Sequence, residues 1–209
     1  METLIIKDGD AEKAADIIKC GGLAAVPTET VYGLAANGLS PEAVEKIYKV
    51  KGRPEAKPIS LLVTGMEQAE ALCRDIPEDA YRLAEAFFPG PLTMILKKRD
   101  TVPDIVTAGG ATVGIRCPAQ DLTLEIIRLA GVPLAAPSAN ISGQPSPKSL
   151  DAVLGYFDGK IECAVDGGKC SVGIESTIVD MTERPYRVLR RGGLSAEEIE
   201  KRTGIRVSE

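Results

Sequence analysis

Leu23-Ala24-Ala25-Val26-Pro27-Thr28-Glu29-Thr30-Val31-Tyr32-Gly33-Leu34-Ala35-Ala36 is the stretch from which the fold is read. One apolar run leads in and another leads out, and both have the length of a buried strand. Pro27 removes a backbone donor and ends the first strand. Gly33 lets another group come close to the backbone, or relieves a bulge. Pro-Thr-Glu-Thr is then a polar turn held between two core strands, with two hydroxyls and a carboxylate presented at a sheet edge or cleft. An ordinary strand–loop–strand connection accounts for the same residues, but the density of hydroxyls inside a buried run argues for a site.

Outward from this stretch, strands and helices alternate without a strict βαβ rhythm. Thr3 to Lys7 reads as a strand, and Asp10 as the cap of a helix over residues 11–20 that Gly21 stops. Ser40-Pro41 is an N-cap followed by a proline at the first helical position, and that helix runs to about Val50 with Val44, Ile47 and Tyr48 on its buried side. Residues 59–63 form a buried strand. Thr64-Gly65-Met66-Glu67 has capping-box spacing, and Ile76-Pro77 opens the next helix. Residues 92–96 and 113–116 are strands separated by a glycine-containing loop over 101–112. Asp121 to Ala130 is a helix stopped by Gly131, and 134–136 is a strand entering a Ser/Asn/Gly/Pro loop over 137–148. A short helix near 149–156, strands near 161–165, 177–181 and 186–189, and a second capping box at Ser195-Ala196-Glu197-Glu198 complete the pattern. The expectation is an α+β (mixed α/β) domain spanning 1–209, with helices on both faces of a mixed parallel and antiparallel sheet.

Composition narrows the function. The 209 residues suffice for one sizeable core, and 44% hydrophobic and 26% charged residues are the values of a soluble globular protein. No apolar run approaches the ~20 residues of a membrane span. Met1 to Asp8 lacks a basic n-region and a long apolar h-region, so a cytoplasmic location is the default expectation. The five cysteines, at 20, 73, 117, 163 and 170, include no C-x-x-C pair and read as neither a disulfide framework nor a zinc site. Histidine is absent, which excludes Ser-His-Asp and Cys-His chemistry. Catalysis must rest on positioning, fixed charge and a hard cation such as Mg²⁺ held mainly by substrate phosphates. The net charge of −5 argues against a basic nucleic-acid-binding protein, so any anion site is local.

Three stretches can carry that chemistry. Lys46, Lys49, Lys51, Arg53 and Lys57 crowd around a single acid, Glu55. They are either a solvated helix end, where lysines favour the C-terminal dipole, or a phosphate clamp in which Gly52 and Pro54 fix the loop and Arg53 offers a planar fork. Arg116, after an apolar strand, is either a surface ion pair or a bidentate partner for a carboxylate. Ser138-Ala139-Asn140 and Ser142-Gly143 are either plain turn chemistry or part of a site.

Read together, Pro27-Thr28-Glu29-Thr30-Val31-Tyr32-Gly33-Leu34, Lys51-Gly52-Arg53-Pro54, Gly114-Ile115-Arg116-Cys117-Pro118, Pro137-Ser138-Ala139-Asn140-Ile141-Ser142-Gly143, Glu175-Ser176-Thr177-Ile178-Val179 and Leu189-Arg190-Arg191-Gly192 resemble, in order, the motifs of the YrdC/Sua5 family of threonylcarbamoyl-AMP synthases. The resemblance covers nearly the whole chain and implies a YrdC-like domain, a twisted mixed sheet flanked by helices with a central cleft. It implies formation of threonylcarbamoyl-AMP and pyrophosphate from L-threonine, bicarbonate and ATP with Mg²⁺. A downstream threonylcarbamoyl transferase complex would then place the group on adenosine 37 of tRNA. It assigns ATP contacts to Lys51, Arg53, Lys57, Thr112, Ser138, Asn140, Ser146 and Arg190, and threonine contacts to Thr30, Arg116, the Ala136 backbone and Ser176. Lys57 and Leu62 stand where the family pattern has asparagine and histidine. Lys57 can still meet phosphate as a point charge, whereas Leu62 cannot hydrogen-bond.

Two other readings come with the same resemblance. One is a module that contacts tRNA or double-stranded RNA. The acidic net charge and an aromatic set of three phenylalanines, five tyrosines and no tryptophan weigh against stacking-based recognition. The other is the carbamoyl-transfer domain of hydrogenase-maturation proteins, but no acylphosphatase-like or zinc-finger segment precedes the motifs. Because the chain ends soon after Arg190, it resembles the short form of the family, without the C-terminal Sua5 domain.

Overall fold

The structure, a computed structural model, describes residues 2–7 and 10–208; the ends of the expected 1–209 unit, Met1 and Glu209, lie outside them. In chain order the elements are β1 (Leu4–Ile6), α1 (Ala11–Lys19), β2 (Ala24–Val26), β3 (Gly33–Asn37), α2 (Pro41–Lys51), β4 (Leu61–Leu62), α3 (Met66–Leu72), β5 (Cys73–Arg74), α4 (Glu78–Phe87), β6 (Leu92–Lys98), α5 (Asp104–Thr107), β7 (Thr112–Arg116), α6 (Asp121–Ala130), β8 (Leu134–Ala135), α7 (Leu150–Phe157), β9 (Cys163–Val165), β10 (Thr177–Asp180), β11 (Tyr186–Arg190), α8 (Ala196–Thr203) and β12 (Val207–Ser208).

The opening stretch is the antiparallel pair β2–β3, in register Ala24 to Ala35, Ala25 to Leu34 and Val26 to Gly33. The full strand order is β1-β9-β2-β3-β8-β4-β7-β6-β10-β11-β12, with β5 added to β6. Pairing is mixed, as expected: β4–β7 and β6–β10 are parallel, and β3–β8, β4–β8 and β6–β7 are antiparallel. The alanines of β2 and β3 have a packing reason. Helix α1 packs against β2, β3 and α6, and its Ala14 and Ala15 are fully buried, as are the alanines of β2 and β3.

Helix ends follow their sequence signals unevenly. Ser40 Oγ accepts from Ala43 N, Ser195 Oγ accepts from Glu198 N, and Gly131 and Gly204 close α6 and α8 at positive φ. Asp10 stands at the N-cap of α1 without a side-chain cap bond. The expected Thr64 capping box also fails. Gly65 takes the cap position, and Gln68 Oε1 instead accepts from Thr64 N at 3.0 Å. The loop over 101–112 contains α5, the strand expected over 59–63 pairs only at β4, and the two-residue strands β5 and β12 carry too few residues to show a period.

No helix among the described residues is long and apolar enough to cross a membrane.

Candidate active site

The polar turn between β2 and β3 is organised by Thr28. Its hydroxyl donates to Val31 O at 2.6 Å and accepts from the amides of Thr30 and Val31, each at 3.2 Å. Its Oγ1 also lies 2.9 Å from the Oγ1 of the fully buried Thr30. Local turn chemistry therefore explains Thr28, and a rigid turn presents Thr30.

This turn and the strands beside it wall a cavity of about 350 Å³. Thr30, Arg53, Arg116, Ala136, Ser138, Ser176 and Arg190, drawn from most of the chain's length, all line it. The sheet explains the convergence. Arg116 ends β7 beside Leu62 of β4, Ala136 follows β8, Ser176 precedes β10, and Arg190 ends β11 opposite Ile178.

Arg116 is buried rather than a surface ion pair. Its Nη2 lies 2.8 Å from Glu29 Oε1, an ionic approach without aligned hydrogen-bond geometry. Nη2 also reaches Thr28 Oγ1 at 3.5 Å, and Nε donates to Gly90 O at 3.4 Å; none of these contacts uses Nη1. Glu29 is fixed in turn by Ala119 N, which donates to its Oε2 at 3.1 Å. The guanidinium of Arg116 is thus held by an internal carboxylate at a cavity wall.

The other cations are desolvated without such a partner. Arg53 folds back over its own loop, donating from Nε to Lys57 O at 3.2 Å and from Nη2 to Pro58 O at 2.9 Å. Arg190 donates to Ser176 O from Nε and Nη2, and to Ser176 Oγ from Nη2 at 3.0 Å. Among the described residues no carboxylate lies within ion-pair distance of either guanidinium, and burial lowers the pKa of both from the ordinary arginine value. A bound anion would relieve that cost. The Arg190–Ser176 bonds also join a residue expected at the nucleotide to one expected at threonine.

The remaining expected contacts do not line the cavity. Lys51 is 1% exposed, its ammonium donating to the carbonyls of Ser138 and Asn140. Asn140 stitches its own loop, with Nδ2 donating to Ile141 O at 3.0 Å and Gln144 O at 2.6 Å, and Oδ1 accepting from Ser138 Oγ at 2.5 Å. Ser146 Oγ donates to Glu175 Oε1 at 2.6 Å, one step behind the wall. Thr112 opens β7 opposite Lys97, and Lys57 is exposed.

Glu175 and Thr93 line the cavity without having been singled out, and the Glu29 carboxylate expected at a cleft instead lies behind Arg116. Glu175 lines the cavity, and the Ser146 hydrogen bond holds its carboxyl below the usual pKa. Thr93 Oγ1 lies 2.7 Å from Ser176 Oγ. A lone hydroxyl inside the apolar run Leu92-Thr93-Met94 was the available signal for it. Gly33 has ordinary contacts to protein, with Ala136 Cβ 3.5 Å and Pro137 O 3.6 Å from where a Cβ would stand. The close approach comes at Gly192, where a Cβ would overlap the Glu175 carbonyl oxygen and the Ser176 carbonyl carbon.

The family model Sua5_yciO_yrdC, described as telomere recombination, matches residues 16–192. The chain belongs to the Sua5/YciO/YrdC family. Among curated relatives of this family, threonylcarbamoyl-AMP synthase of Pyrococcus abyssi is 51% identical over 191 residues, covering 91% of this chain and 56% of that protein. The Bacillus subtilis threonylcarbamoyl-AMP synthase is 43% identical over 200 residues, covering 95% of this chain and 58% of its own length. The chain spans a little over half the length of these two family members. The P. abyssi Sua5 crystal structure complexed with L-threonine superposes with a TM-score of 0.94 at 47% identity, over 99% of this chain and 62% of that one.

Proposed function

We propose that the chain is a threonylcarbamoyl-AMP synthase, an ATP-dependent nucleotidyltransferase acting on L-threonine, bicarbonate and ATP. One observation carries the reading. The internally anchored Arg116, with Thr30 and Ser176, shares a cavity with Arg53 and Arg190, which have no carboxylate within ion-pair distance among the described residues. The first set suits the carboxylate and hydroxyl of a small amino acid. The second suits a polyphosphate. The names of the family relatives, and the L-threonine in the P. abyssi structure, support the same assignment.

The threonine amine and bicarbonate form a carbamate, the new N–C bond replacing a C–O bond of bicarbonate as water leaves; a carbamate oxygen then attacks the α-phosphorus of ATP, the P–O bond to pyrophosphate breaks and threonylcarbamoyl-AMP remains. Arg116 orients the amino-acid carboxylate. Arg53 and Arg190 compensate charge on the phosphates, and the Thr28 turn keeps Thr30 rigid. The described residues hold no cluster of three or more Asp, Glu or Cys side chains suited to a metal cage. Mg²⁺ would be brought by the triphosphate and would supply charge neutralisation there, and Glu175 is the carboxylate among the lining residues that would hold it. The product would pass to a transferase acting on tRNA.

Pyrophosphate release, with each of ATP, Mg²⁺, threonine and bicarbonate omitted in turn, tests the proposal. Release is expected only from the full mixture. Release that ignores threonine, or no release in any mixture alongside tight duplex-RNA binding, would overturn it.

A further inference from the structure

Lys51 is among the largest fully buried side chains of the molecule. Its ammonium donates to the carbonyls of Ser138 and Asn140 and reaches Asn140 Oδ1 at 3.5 Å. The Lys51 carbonyl in turn accepts from Ser142 N at 3.0 Å. One residue at the C-terminal end of α2 thus grips three points of the loop that supplies Pro137 and Ser138 to the cavity wall. Gly52 follows at φ 57° and Arg53 lies two residues on, so the same residue also fixes where the Arg53 loop departs. Among the described residues no carboxylate lies within ion-pair distance of the Lys51 ammonium, and the side chain does not line the cavity.

We infer that Lys51 is a positioning residue: its buried ammonium locks the 138–142 loop against the end of α2 and so sets the spacing between Ser138 and Arg53, without touching a nucleotide phosphate. An ammonium kept for a phosphate would face the cavity, whereas this one is enclosed by peptide oxygens. Burial, with the neighbouring Arg53 charge, lowers its pKa to about 7, which agrees with a desolvated cation held by dipoles rather than by an anion. A charge-assisted bond to a carbonyl is among the stronger hydrogen bonds a side chain can make, and two together suit a structural lock.

The test uses Lys51→Met, which removes the donors, and Lys51→Gln, which keeps a neutral donor. The first readout, amide exchange across 138–144 in the full chain, is independent of the proposed activity. Exchange should speed up about tenfold or more in Lys51→Met and recover in large part in Lys51→Gln, while α6 and β6 keep their protection. The second readout rests on the ATP reading and compares ATP with AMP binding by calorimetry. A misplaced wall should weaken both ligands by the same factor. Unchanged exchange in both variants, or loss of ATP affinity with AMP affinity intact, would overturn the inference. If Lys51→Met does not fold, Lys51→Gln alone decides it: exchange across 138–144 faster than in the unaltered protein, with ATP and AMP weakened by equal factors, supports the lock, and unaltered exchange or a loss confined to ATP refutes it. Should neither nucleotide bind even the unaltered protein, the ATP reading fails while the exchange result still decides the lock.

Discussion

Two cavities among the described residues are lined by arginine, and they treat their cations differently. In the second, Asp79 is buried between Arg82, whose Nη1 lies 3.2 Å from Asp79 Oδ1, and Arg184, whose Nη2 meets Oδ2. Arg206 is paired with Glu200 at 2.8 Å, and Arg184 also lies over the Tyr186 ring. In the candidate-site cavity Arg53 and Arg190 meet only neutral oxygens among their described hydrogen-bond partners, and Arg116 is the one anchored to a carboxylate. In the second cavity the paired guanidiniums tie protein elements together. In the first, Arg53 and Arg190, desolvated against carbonyls, keep a capacity for an anion, and Arg116 keeps one through Nη1, which its contacts to Glu29, Thr28 and Gly90 do not use. Arginine content alone does not separate the cavities, but the partners do.

The largest effect expected from this contrast is Arg116→Ala. It leaves Glu29 buried without its cation, so unfolding free energy should fall by about 3–5 kcal/mol. Arg184→Ala in the other cavity removes a side chain that is 73% exposed, and should cost under about 1 kcal/mol. Denaturant titrations of the two variants measure both, and similar losses would erase the distinction. Gly192→Ala comes next. Its methyl must push on the backbone at Glu175–Ser176, an overpacking cost of about 1–3 kcal/mol. Both substrates should bind less well, because Ser176 is tied to Arg190; a neutral Gly192→Ala in stability and binding would contradict the close packing. Ser176→Ala is smaller. It removes the hydroxyl that meets Thr93 and Arg190, and about 1 kcal/mol of stability should be lost, read as a shift in the denaturant midpoint.

A pH effect sharpens the picture of the buried groups. Lys51 falls from an ordinary 10.5 to about 7 in the folded protein, so between these values the unfolded chain binds the extra proton and stability rises with pH. Cys73 and Cys163 are pushed up by burial from 9.0 to about 12, and Cys117 to about 11, so above pH 9 the unfolded chain loses protons first and stability falls. The stability profile should climb from pH 7 toward 9 and then decline, and Lys51→Met should flatten the climb. A climb unchanged in that variant would assign it to another group.

The sequence was most legible where one local signal was enough. Ser40-Pro41, Gly131 and Ser195 marked helix ends, and the apolar runs around Pro27 marked β2 and β3. The mixed sheet followed from irregular alternation of strands and helices. Thr64 misled because a Thr-x-x-Glu spacing can be shifted by one residue when glycine takes the cap. In the site, Thr30, Arg53, Arg116, Ala136, Ser138, Ser176 and Arg190 stand around one cavity, in line with motifs that are contiguous in sequence. Lys51 and Glu29 were not legible in the same way. Whether a charged side chain faces a cavity or a peptide carbonyl depends on pairings between residues some ninety positions apart, such as Lys51 with Asn140 and Glu29 with Ala119.

Paired calorimetric titrations of two variants test most directly the claim that one cavity holds two differently built anion sites. Arg116→Ala should lose threonine affinity by about tenfold or more, equivalent to roughly 1.4 kcal/mol or more, with ATP binding largely kept. Arg53→Ala should lose ATP affinity by a similar factor and keep threonine. Unchanged threonine binding in Arg116→Ala, or equal losses of both ligands in both variants, would contradict the account.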